Sequence, residues 1–198
     1  MSRLGAVLDR LLPSRRRPPR RLLALDLETT GFDPELAEIL AIGTVPVVDG
    51  AVRIGATTST LVRPANRSAV EGIVAHHLRP SDVLSAPALA DVLPDVLTAI
   101  TDADALLVHH AALDVRVLER ACAATGLRWP SPRVVDTIEL IGRVRRRQRA
   151  TGSGRRLPRD LAGAREALGL PPHQAHDAAA DAIATAELYL ALRVHLGG

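Results

Sequence analysis

The chain has 198 residues, 47% of them hydrophobic, enough for one domain with a substantial core and no need of a covalent staple. Its single cysteine excludes an internal disulfide, and no apolar run reaches the roughly 20 residues of a membrane span. Net charge is only +3, all 25 basic side chains are arginine, and aromatics make up 2%, so a binding module built on base-stacking rings is a poor fit.

Residues 1–21 read as a basic N-terminal segment. Leu4, Val7, Leu8, Leu11 and Leu12 carry helical spacing, which the run SRRRPPRR then breaks. The apolar part of MSRLGAVLDRLLP is too short and interrupted for a secretory signal, so a soluble cytoplasmic protein with no membrane partner is expected. The folded domain is expected over 22–198. Leu22 to Glu28 reads as a strand with apolar side chains on both faces, and Thr29-Thr30-Gly31 as the turn that ends it. A second strand is expected over Glu38–Val48, a two-residue hairpin at Asp49-Gly50, and a third strand over Val52–Val62.

Helix and strand then alternate. Ala86–Ile100 has a helical apolar stripe interrupted by Pro94; Ala105–Val108 is a short buried strand. Ala111–Ala124 is helical and contains Cys122, read as a small buried hydrophobe. Val134-Val135 is a further strand, and a helix starts near Thr137. The arginine-rich stretch Gly142–Arg156 reads as a solvated loop suited to clamping phosphates, followed by helices over Leu157–Leu168 and Asp177–Val194. A hairpin meander followed by alternating helices and strands indicates an α/β domain, a mixed β-sheet with helices on both faces.

The chemistry begins at the end of the first strand. In LLALDLETTG, Asp26 and Glu28 are two apart, so their carboxylates share one face about 7 Å apart. Two anions after a buried run require compensation, and hard divalent cations prefer an all-oxygen setting. HHAALD places Asp114 in the first turns of a helix that follows a buried strand, the sheet edge where α/β folds bind ligands. In HQAHDAAADAIATAELYL, Asp181 lies among small residues, Ala178, Ala182 and Thr185, that permit close backbone approach. His176 precedes it by five residues, about 140° around a helix, so it belongs to the helix entrance with Asp177 as N-cap. An imidazole there, titrating near neutrality, suits a general base toward water.

DLETTG, HHAALD and HDAAAD together resemble the three motifs of the DEDD exonucleases in their histidine variant, a family that includes the proofreading subunit of bacterial replicative DNA polymerase, oligoribonuclease and ribonuclease T. The resemblance spans about Arg21 to Leu196. It implies a ribonuclease-H-like fold and 3′→5′ release of nucleoside monophosphates from single-stranded nucleic-acid ends, using two divalent metal ions, Mg²⁺ or Mn²⁺. Asp26, Glu28, Asp114 and Asp181 would be the metal carboxylates and His176 the base. Thr29, Thr30 and Gly31 would meet the terminal 3′ hydroxyl. Phe32 would touch the terminal base or else anchor its loop on the core. His110 stands where the family has asparagine, and Leu113 where it has phenylalanine; both bear on substrate grip, and His110 can still bond phosphate. DNA is the somewhat preferred substrate. The alternatives are an RNA-trimming, oligoribonuclease-like enzyme and a non-catalytic nucleic-acid-binding accessory protein. The short stretch after the last helix favours an independent enzyme over a tightly held polymerase subunit, and oligomeric state is not legible.

Overall fold

The computed structural model describes residues 19–66, 78–152 and 156–197. The helical spacing of Leu4 to Leu12 and most of the first arginine run lie outside them. β1 (Arg21–Thr29) and β2 (Ile39–Val48) pair antiparallel, with a register shift between Glu28 and Thr29. Asp49 and Gly50 both adopt positive φ, 51° and 78°, as the hairpin reading requires. The third strand is broken. β3 is only Ala51–Val52, a 3-10 turn covers Ile54–Ala56, and β4 (Thr58–Leu61) rejoins β2 nearer its start. With β2 as its one neighbour among the described residues and Gly55 in its middle, this edge has no second described ladder to keep it continuous.

The helix expected from Ala86 is α2 (Leu89–Thr101); extended backbone at Ala86 and Ala88 separates it from a short α1 (Pro80–Ser85). β5 (Ala105–Val108), α3 (Ala111–Thr125) and β6 (Val134–Asp136) follow closely where the pattern puts them. The arginine-rich stretch is a correction: it is mostly helix, α4 (Thr137–Thr151), not loop. Arginine and glutamine are good helix formers, Ile141 and Val144 anchor one face, and Asp136 caps the start by accepting from Ile138 N–H. α5 (Leu161–Ala167) is shorter than expected, starting after the N-cap Asp160, and α6 (Ala178–Leu196) closes the domain.

The sheet order is β3-β2-β1-β5-β6, with β4 also on β2; β1, β5 and β6 run parallel and the rest antiparallel. β1 alternates strictly between two cores. Leu23, Leu25 and Leu27 pack with Leu93 and Ile100 of α2 and Val117, Leu118 and the buried Cys122 of α3. Leu22 and Ala24 pack on the opposite face with Ala182, Ala186 and Tyr189 of α6. Asp26 and Glu28 continue this second row, so the strand's two-residue period aims both acids toward α6.

One glycine sets how closely α6 approaches. Gly43 pairs with Asp26 across β1 and β2, and a Cβ there would overlap the main chain of Ala178 and Ala179 at the start of α6. Gly43→Ala must therefore displace backbone rather than a flexible side chain. The expected cost is about 3 kcal/mol, which lowers Tm by roughly 6–12 °C for a chain of this size. Calorimetry checks it, and Mn²⁺ binding should weaken in the same variant because Asp181 moves with the helix.

Candidate active site

Asp26, Glu28 and Asp181 each present a carboxylate oxygen within 4.8 Å of the others. Asp114, in the first turn of α3, lies outside this tight group but is buried beside it. The four acids thus gather at one edge of the sheet, three as a cluster and one as its neighbour.

The entrance to α6 is built in detail. Asp177 caps the helix by accepting from Ala180 N–H at 2.9 Å. His176, exposed and with φ of 65°, forms the turn into the cap, as the spacing predicts. Its backbone N–H donates to Asp181 Oδ2 at 2.8 Å. The other oxygen, Oδ1, lies 2.9 Å from Nε2 of His173, a histidine whose side chain is only 10% exposed. Sequence reasoning sets His173 aside because no acid follows it five residues on; the turn through residues 171–177 brings it to Asp181 instead. Arg165 of α5 secures that turn from below. Its buried guanidinium donates to the carbonyls of Ala184 and Pro171 and to Glu187.

Burial, reinforced by the crowding of anions, governs the protonation of this edge. Burial first, and then the carboxylates of Asp114, Asp181 and Glu28, hold Asp26 well above the usual carboxylate range. Burial and the charges of Asp181 and Asp177 push Glu28 up to about 7. Burial and Asp136 raise Asp114 to about 8. Asp181 is also raised by burial, against the lowering effect of the His176 amide and His173. Among the described residues, no arginine forms an ion pair with Asp26, Asp114 or Asp181. An all-oxygen donor set, packed so tightly that its anions resist ionisation, fits a hard divalent cation.

The remaining expected residues sit around this edge. Thr29 Oγ1 donates to the Gly31 carbonyl, and Thr30 is tied to Glu38 by two hydrogen bonds, so the loop is held in shape. No atom of the described residues lies within 4 Å of where a Gly31 Cβ would be, and Phe32 is 91% exposed. Phe32 therefore does not anchor its loop on the core. His110 is exposed in left-handed conformation at the start of α3, its N–H donating to Asp136 Oδ1. Leu113 turns inward and packs on the core.

A family model described as Exonuclease, RNase_T, matches residues 23–189. The chain belongs to this exonuclease family. The resemblance carried by DLETTG, HHAALD and HDAAAD is thereby borne out. This exonuclease domain is 29% identical over 171 residues to a DNA polymerase III subunit epsilon-like protein of Rhodobacter capsulatus, covering 86% of this chain and 23% of that one. It is 30% identical over 174 residues to the PolC-type DNA polymerase III of Thermotoga petrophila, covering 85% of this chain and 11% of the relative. The chain thus spans about a quarter or less of the length of these curated relatives. Among solved structures, E. coli exonuclease I in complex with a dT13 oligonucleotide matches with TM-score 0.74 at 18% identity, over 89% of this chain and 42% of that one. Exonuclease X in complex with 5′ overhanging duplex DNA matches with TM-score 0.63 at 23% identity, over 89% and 93%. These likenesses bear out the ribonuclease-H-like fold.

Two outcomes follow from the site's electrostatics. Glu28 and Asp114 have folded pKa values above their unfolded ones, so without metal the domain binds excess protons between about pH 4 and 8. The contribution of these two groups to metal-free stability should be greatest below that window and fall as pH rises through 7 to 8. Mn²⁺, which binds the ionised acids, should raise Tm more at pH 8.5 than at pH 6, and EDTA should reverse the gain; thermal melts across pH read both. His173→Ala, which releases one oxygen of Asp181, should weaken Mn²⁺ binding about tenfold in calorimetric titration.

Proposed function

We propose that this chain is a metal-dependent 3′→5′ exonuclease releasing nucleoside 5′-monophosphates from single-stranded ends, with DNA somewhat preferred, by a two-metal mechanism with His176 as general base. The observation that carries the proposal is the convergence of Asp26, Glu28 and Asp181 within 4.8 Å, with buried Asp114 beside them. The family match and the nucleic-acid complexes among the structural relatives support the same reading.

Asp26, Glu28, Asp114 and Asp181 would hold the two ions, Mg²⁺ or Mn²⁺. Bound divalent cations supply the Lewis acidity that turns water into a nucleophile and offsets charge on the departing 3′ oxygen. His176, on the solvent side of Asp181, receives the proton of the attacking water. Its backbone bond to Asp181 fixes the turn that carries the imidazole. Water oxygen bonds to phosphorus, the bond from phosphorus to the preceding nucleotide's 3′ oxygen breaks, and that oxygen ends protonated. The held loop Thr29–Gly31 leaves open space for a terminal nucleotide beside Gly31, and exposed Phe32 is available to its base.

Oligomers labelled at the 5′-end, DNA and RNA of matched sequence, test this directly. Wild type with Mg²⁺ should give a ladder shortening from the 3′-end, faster on DNA, and Asp26→Asn should reduce release to background. Faster RNA trimming would reassign the substrate. Oligomer binding that persists in EDTA, with no product under any metal, would replace the enzyme by a binding protein.

A further inference from the structure

The arginines of α4 are not a uniform solvated surface. Arg143, Arg145 and Arg146, with Arg159 from the segment before α5, line a cleft of about 430 Å³ that has Glu139 on its wall. Among the described residues, no carboxylate reaches ion-pair distance of any of these four guanidinium groups, Glu139 included. Arg145 Nε is buried and has no acceptor among the described residues. Burial and the positive charges of Arg156, Arg159 and Arg149 push the Arg145 guanidinium down from its ordinary pKa. Like charges gathered around an unsatisfied buried donor are a standing cost unless an anion occupies the cleft. Arg147 does not share this arrangement. It reaches the other way, donating to the His195 carbonyl near the end of α6.

Both walls of the cleft are fastened to the catalytic edge. Asp136, the N-cap of α4, accepts from the N–H groups of His110 and Ala111, and its charge helps raise Asp114. His109 bonds to Thr137 at the start of α4 and to the backbone of Arg159. From Asp136 to Arg145 the helix rises about 14 Å, on the order of two to four nucleotide steps of a single strand, depending on how far it is stacked. A strand whose 3′ end lies on the acids can therefore run its phosphates along α4 into the cleft.

We propose that the cleft formed by Arg143, Arg145, Arg146 and Arg159 is a phosphodiester-backbone subsite that grips the strand a few nucleotides upstream of the end being cut. This rests on the exonuclease reading for the direction of the strand, though not for the anion itself. Contacts of this kind hold any sequence alike, because phosphates carry no base identity. They also supply grip to a chain with few aromatic rings to stack bases on.

The test is binding of dT12 and dT3, labelled at the 5′-end, to the full chain in EDTA across a NaCl series. Arg145→Gln/Arg146→Gln/Arg159→Gln should make the slope of log Kobs against log salt for dT12 shallower by about 2, roughly 0.7 for each of three lost contacts. Binding of dT3 should stay within twofold, and Arg147→Gln should match wild type. An unchanged dT12 slope, or equal loss on dT3, overturns the subsite. Competition by inorganic pyrophosphate with no dependence on oligomer length also overturns it, in favour of a small-anion site. If circular dichroism shows the triple variant unfolded, Arg145→Gln alone should change the slope by about 0.7. A reduced slope in a protein that releases no mononucleotide would retain the subsite and discard the nuclease reading; normal release with an unchanged slope would do the reverse.

Discussion

Repulsion among carboxylates that the fold insists on burying is the force this domain is arranged to contain. β1 places Leu22, Ala24, Asp26 and Glu28 in one row facing α6, so the same alternation that builds the core also delivers two anions to its edge. Asp181 arrives from α6 opposite them only because Gly43 lets the helix start almost touch β2. Burial first, and then their mutual repulsion, push the members of this group toward protonation, an electrostatic setting that suits a cation.

Much of the supporting structure holds Asp181 still. Asp177 closes the first turn of α6, the His176 amide and His173 imidazole each take one oxygen, and Arg165 pins the preceding turn through the Pro171 carbonyl. Arg165 is nearly inaccessible, and its partner Glu187 is about a third exposed, so the pair is more a strut than a source of net stability.

What could be read from sequence was whatever depends on local period or on motif order. The two-residue alternation of β1, the apolar run of β5, the Asp49-Gly50 hairpin and the helical stripe of α3 all formed as the residues indicate. The acids of the three motifs do meet, although Asp114 stands just outside the tight group. What was missed depends on distant partners. Gly43 is one glycine in an apolar strand until Ala178 is seen above it. Arg165 resembles any surface arginine until its carbonyl acceptors are known. The arginine-rich stretch was read by charge, whereas Ile141 and Val144, buried against α6, decide that it is helical. The break between β3 and β4 follows from their place on the sheet edge, which composition does not reveal.

The acids are contributed by β1, α3 and α6, so the first and last of them are separated by most of the described chain. On the ribosome, a nascent polypeptide that has emerged only as far as α5 already carries Asp26, Glu28 and Asp114, yet has nothing to set opposite them. Asp181 joins them only where α6 packs against Gly43. The cluster of Asp26, Glu28 and Asp181 is therefore complete only once the last helix is in place.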